Sequence, residues 1–206
     1  MLRKFLLGTG ALALALGLAT GSGGGLAGAT KTPAQMTGPI TCSAAGLVKF
    51  SPKLTNGGST SGVVTLRVEL KSCTGTGTVL GGVTLTGGSL LATTSAPVAS
   101  DCGPILSGST FPTFSGTIKW KGTGGQVASS TVTVNSADLF YNSGLDTLTT
   151  YLTTVAIGSG SYNGENMHYA KLVATKDALK TTSTCAAGGI GSVKFGAVGG
   201  TVSVGA

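Results

Sequence analysis

Val64, Leu66, Val68 and Leu70 alternate with Val63, Thr65, Arg67, Glu69 and Lys71. A period of two cannot sit on a helix, whose faces repeat every 3.6 residues, but it matches a strand that buries one face and wets the other. The segment Gly62–Lys71 is therefore predicted as a half-buried strand. Phe114–Lys121 repeats the pattern, with Phe114, Gly116, Ile118 and Trp120 inward and Ser115, Thr117, Lys119 and Lys121 outward. Further strands are predicted at Cys42–Phe50, Val79–Thr86, Ser89–Thr94, Val127–Asn135, Leu148–Ile157, Met167–Thr175, Ile190–Ala197 and Thr201–Val204. Turn sequences rich in Gly separate them, such as Thr55-Asn56-Gly57-Gly58, and the last two read as a hairpin across Gly199-Gly200. Nine or ten short strands of this kind predict an all-β chain, an antiparallel β-sandwich, with a β-barrel as the alternative. One short helix is expected at Lys176–Thr184, just before the last cysteine, and a further turn of helix at Asp138–Tyr141.

The first 29 residues read differently. Arg3 and Lys4 precede an apolar run from Phe5 to Ala19, and a tract of small residues ends in Ala27-Gly28-Ala29. This is the pattern of a secretory signal peptide cleaved after Ala29. The apolar run is shorter than the roughly 20 residues a membrane span needs. The expected organisation is a signal peptide at 1–29, an exposed leader at 30–39 and one domain at 40–206. The chain carries no sorting motif of the L-P-x-T-G type, no N-x-S/T sequon and no apolar tail able to span. A secreted or loosely envelope-associated protein is the expectation.

Export changes the meaning of Cys42, Cys73, Cys102 and Cys185. An even count in an oxidising compartment predicts two disulfides. Three connectivities exist. Cys42–Cys73 with Cys102–Cys185 is preferred, because it closes the first hairpin region and the later sheet as separate loops. Zinc would favour a C-x2-C pair, which the chain lacks.

Charge narrows the partners. Charged residues are 9% of the chain, against about 25% in an average domain. Without the signal, eleven Lys/Arg face six Asp/Glu, a net charge of about +5. The cations are scattered singly and lack the aromatic interleaving of a nucleic-acid groove, so no nucleic-acid partner is expected. They read first as a solvated surface with edge-strand lysines that discourage sheet-to-sheet pairing, with weak attraction to an anionic cell envelope as the alternative.

Catalytic chemistry is poorly supplied. His168 is the sole histidine and reads as structural. No G-x-S-x-G elbow occurs, and the one G-x-G-x-x-G match, Gly23–Gly28, falls in the signal. The mature carboxylates are Glu69, Asp101, Asp138, Asp146, Glu165 and Asp177. Asp138 and Asp146 are the close pair, read as turn stabilisers in preference to a calcium site. Trp120, the single tryptophan, is placed in the core by its alternation. Tyr162 and Asn163 occupy the loop Gly160-Ser161-Tyr162-Asn163-Gly164, where a large side chain has little reason to be buried. With Tyr141 they are the candidate ligand-binding residues. No enzyme, cofactor or metal is read from these residues.

Leu47-Val48-Lys49-Phe50-Ser51-Pro52, Ser72-Cys73-Thr74-Gly75, Thr117-Ile118-Lys119-Trp120-Lys121, Ser130-Thr131-Val132-Thr133-Val134 and Gly158-Ser159-Gly160-Ser161-Tyr162-Asn163-Gly164 follow in order, with Cys185 ahead of a Gly-rich β ending. In this the chain resembles small secreted Thr/Gly-rich all-β proteins of actinobacteria. The resemblance implies export and an all-β fold, supports the preferred cysteine pairing, and carries over no catalytic residue or ligand. The functional expectation is a non-enzymatic exported protein with a structural, adhesive or binding role, its partner an envelope polysaccharide or lipid. The alternative is a carrier of an apolar envelope ligand such as a lipid, in a cavity lined by Val, Leu and Phe. A hydrolase ranks third.

Overall fold

The computed structural model describes residues 31–107, 109–142, 147–169, 172–174 and 181–205. The predicted signal peptide, Asp146, Asp177 and the first half of the expected helix lie outside the described residues. Twelve strands are present: β1 (Ile40–Leu54), β2 (Ser61–Thr74), β3 (Val79–Leu80), β4 (Val83–Thr94), β5 (Val98–Ala99), β6 (Ser109–Phe111), β7 (Phe114–Thr123), β8 (Ser130–Asn142), β9 (Thr147–Ser159), β10 (Asn166–Tyr169), β11 (Leu172–Ala174) and β12 (Ile190–Val204). Two short helices, α1 (Gly103–Leu106) and α2 (Thr181–Ala187), complete the order with a 3-10 turn at Thr76–Thr78. The helix before Cys185 is thus present over its second half and runs past the cysteine.

All the strand pairings are antiparallel, and they close. The circuit runs β1–β2–β4–β7–β8–β9, then through β10 and β11 to β12, and back to β1. Of the two architectures expected from the sequence, the closed barrel is the one that describes this pairing. A sandwich would leave the first and last long strands at open edges. Here β1 pairs with β12 from Ile40 opposite Val204 to Leu54 opposite Ile190, with irregularities between Ser43 and Ala45 and between Lys49 and Leu54. Closure removes the exposed edges that invite sheet-to-sheet aggregation.

Alternation decides which side faces in. Val64, Leu66, Val68 and Leu70 are buried while Arg67, Glu69 and Lys71 are exposed, as predicted. Neighbouring strands contribute Val48, Phe50, Leu90, Ala92, Ile118, Val132, Val134, Val155, Ile157, Val193 and Phe195 to the same core. An eight-stranded barrel is just wide enough for such side chains to fill it. Among the described residues the interior is a packed core, not a pore.

Several local expectations are corrected. The weak strands Val79–Thr86 and Ser89–Thr94 are a short hairpin, β3 turning at Gly81-Gly82, and one long strand β4. A register shift between Leu85 and Gly87 carries β4 through the glycines as a bulge. Gly199-Gly200 is likewise no turn. β12 continues through it as a bulge, and residues on both sides pair with β1, Gly196 with Ala45 and Thr201 with Ser43, so that extra residues of β12 loop out between them. The expected turn of helix at Asp138–Tyr141 is the continuation of β8, where Asp138 pairs with Tyr151. Local sequence favoured a break at each place, and long-range pairing overrode it.

The two predicted disulfides are present, Cys42–Cys73 and Cys102–Cys185, spanning 31 and 83 residues. The first ties neighbouring strands β1 and β2. The second ties the loop before α1 to helix α2, elements that no strand pairing joins.

Candidate functional site

Tyr162 is where the sequence pointed for binding, and its side chain is fully buried. The expectation of an exposed ring is corrected, for a reason visible in the backbone. Tyr162 adopts φ 59°, a left-handed conformation unusual for a bulky residue, which folds its ring back under the loop. Gly160 makes the approach possible. It has φ 78°, and a Cβ there would collide with the Ser129 carbonyl. The ring then packs edge-on against Trp120, with centroids 5.1 Å apart, and its hydroxyl donates to the Gly77 carbonyl at 2.9 Å. Burial pushes the phenol well above its ordinary value, so the hydroxyl stays protonated as a donor.

The segment expected as an exposed leader completes this arrangement. Lys31, Thr32, Pro33, Gln35, Thr37 and Pro39 are exposed, but Met36 is fully buried. Ala34 pairs with Val127 in a parallel bridge. The Met36 amide donates to Ser161 Oγ at 3.1 Å, and the Tyr162 amide donates to the Met36 carbonyl at 2.7 Å. Buried Ser130 joins in: Trp120 Nε1 donates to its hydroxyl at 2.7 Å, and that hydroxyl donates to the Ser161 carbonyl. Every polar atom named here has a partner, as burial demands. This end of the barrel is a built plug, and its chemistry is structural.

The remaining sequence candidates scatter. Asn163 is exposed at the loop tip. Tyr141 lies in β8 opposite Leu148, and its side chain is outside the described set. His168 is exposed on β10 opposite Ser203, while its neighbour Met167 is buried. Asp101 accepts from the amides of Gly57 and Gly103, both at 3.1 Å, which is a turn-stabilising role at the opposite barrel end. The described side chains of Asn163, His168 and Asp101 are not brought together into a site.

What it does assemble lies on the outer wall, at residues the sequence analysis read only as a wet face. Strand register lines up Lys194, Leu47, Arg67, Leu91 and Thr117 across β12, β1, β2, β4 and β7. The adjacent row runs Ala45, Glu69, Ser89 and Lys119. Lys71 and Lys121 flank this on one side and Lys49 on the other. Six outward cations therefore surround one carboxylate. Glu69 lies 3.9 Å from Lys121, an exposed pair of small energetic value. Arg67, Lys49, Lys71, Lys119 and Lys194 make no ion pair among the described residues.

Two grooves run beside the Arg67–Glu69 ridge. One, of about 420 Å³, is lined by Arg67, Glu69, Ser89, Leu91, Thr117 and Lys119. The other, of about 370 Å³, is lined by Ala45, Gly46, Leu47, Arg67, Glu69 and Lys194. Small residues form the floors and long charged ones the walls. The periodicity told which residues face outward, but only the register between strands told which of them are neighbours.

No family model, no curated protein and no solved structure matches the chain. Among the described residues no helix is long and apolar enough to cross a membrane. The described outward positions of β2, β4 and β7 are mostly Thr, Ser, Lys, Arg and Glu, with Val63 and Leu91 the large apolar ones among them, where a bilayer-facing barrel carries an apolar band.

Proposed function

We propose that this chain is an exported, non-enzymatic barrel that works through its outer wall, binding a component at or outside the cell envelope. The signal-like N-terminus, the two disulfides and the resemblance to secreted actinobacterial proteins support the compartment. The observation that carries the mode of action is the contrast between the two sides of the sheet. The described interior is filled by apolar side chains and plugged by Met36 and Tyr162. The exterior holds the unpaired charge and the grooves. Among the described residues, the Val, Leu and Phe side chains that a carrier would need around a cavity pack in one core cluster.

The test is co-sedimentation of the oxidised chain Thr30–Ala206 with isolated envelopes of the producing cells, with native mass spectrometry of the same preparation. Envelope-bound protein with a bare mass, about four hydrogens below the reduced chain, supports the proposal. A co-purifying lipid in stoichiometric amount makes the protein a carrier and overturns it.

A further inference from the structure

We propose that the outward face of β12, β1, β2, β4 and β7 is a binding site for an acidic polysaccharide, with Arg67, Lys119 and Lys194 holding its carboxylates and the two flanking grooves seating its sugar rings. This rests on the preceding reading that the protein works through its outer wall, and names the ligand class.

The spacing of the cations comes first. Lys194 and Arg67 share one cross-strand row with β1 between them. Arg67 and Lys119 are likewise separated by one strand, β4, with a step of one row. Neighbouring strands lie about 4.8 Å apart, so the three cations recur at roughly 10 Å. That is comparable to the span of two linked pyranose rings, so each cation can meet every second carboxylate of a chain of uronic acid rings.

The surface between the cations fits a chain of rings. Ala45 and Gly46 floor one groove and Ser89 the other, leaving room for a ring to approach the backbone. Ser89 and Thr117 offer hydroxyls, and Glu69 can accept from sugar hydroxyls while Lys121 offsets its charge. Leu91, 49% exposed, and Leu47 give the apolar patches on which sugar faces rest.

Other polyanionic occupants fit less well. A bilayer needs a continuous projecting apolar surface, and Arg67 stands between Leu47 and Leu91 in the row. A nucleic acid needs exposed aromatic rings for base stacking. The one aromatic at these grooves, Phe195, is 2% exposed.

The test measures binding of the oxidised chain Thr30–Ala206 to polygalacturonate, to neutral dextran and to phosphatidylglycerol vesicles. Polygalacturonate is expected to bind, dextran and vesicles not. The variant R67Q/K119Q weakens polygalacturonate binding about tenfold, since two exposed charge contacts are removed. The control K31Q/K53Q removes the same charge outside the grooves and stays within about twofold. A threefold rise in salt weakens the wild type on the order of tenfold, and the salt slope falls by roughly one unit per removed cation. Equal losses in the two variants reduce the effect to net charge and overturn the site. Binding to vesicles in place of polygalacturonate overturns the ligand class. If polygalacturonate fails while envelopes still sediment the protein, the glycan assignment falls and the outer-wall reading stands; if both fail, both fall.

Discussion

The two mouths of the barrel are closed by different means. At one, Met36, Tyr162, Trp120, Ser130 and Ser161 interlock through buried hydrogen bonds and an edge-on ring contact. At the other, Cys102–Cys185 ties the loop before α1 to helix α2, and Phe111 packs against Phe50 and Phe114 with ring centroids 6.3 and 6.1 Å apart. The first seal is built from residues far apart in sequence that already sit near strand ends. The second joins the segment before α1 to helix α2, 83 residues apart, where a covalent bond across the longer loop removes more chain entropy.

The largest effect expected from breaking this contrast is at the staple. C102S/C185S lowers the unfolding free energy by up to about 4.6 kcal/mol, and C42S/C73S, closing a 31-residue loop between paired strands, by up to about 3.7 kcal/mol. Urea titrations that reverse this order would mean that the loops at the Cys102 mouth are held by something other than the bond. Tyr162→Ala is next. Emptying a fully buried ring site costs about 4 kcal/mol, read from the same titrations. A loss below about 1 kcal/mol would place the ring outside the core.

Tyr162→Phe keeps the ring and deletes one hydrogen bond, leaving the Gly77 carbonyl short of a donor. We expect a loss of about 1–2 kcal/mol. The same residue gives a pH signature. Its pKa is raised in the folded state, so the unfolded chain releases the proton first. Stability is unaffected below the ordinary tyrosine value of about 10 and falls as pH rises above it. Denaturation midpoints at pH 8 and 10.5 should diverge in the wild type and diverge less in Tyr162→Phe. An equal divergence would assign the alkaline loss to other groups. The smallest effect belongs to the outer wall: R67Q/K119Q changes stability by no more than about 0.5 kcal/mol, because both side chains are exposed and unpaired.

Much of the barrel was legible in the chain because alternation is a local signal. β2 and β7 show it residue by residue, and the cysteine pairing was one preference among three, chosen because it closes the first hairpin region and the later sheet separately. Closure was not legible, since β1 and β12 carry the same alternation whether they pair with each other or stand at two open edges. The bulged continuation of β12 through Gly199-Gly200 and the extension of β8 over Asp138–Tyr141 were hidden for the same reason. Tyr162 shows the limit most sharply. Its loop composition is that of an exposed turn, and its burial depends on Met36 and Gly77, more than 80 residues away. The outer-wall lattice was half visible: Arg67 and Lys119 were known to face water, but their adjacency is a property of register.

The measurement that bears most directly on the account is amide chemical-shift mapping of the oxidised chain as envelope extract, separated into glycan and lipid fractions, is added. The account predicts that the glycan fraction moves resonances of Leu47, Arg67, Ser89, Leu91, Lys119 and Lys194, while Met36, Tyr162 and the inward residues of β2 stay still. Shifts concentrated on Val64, Leu66, Val68 and Leu70 with the lipid fraction would show a ligand inside the barrel and contradict it.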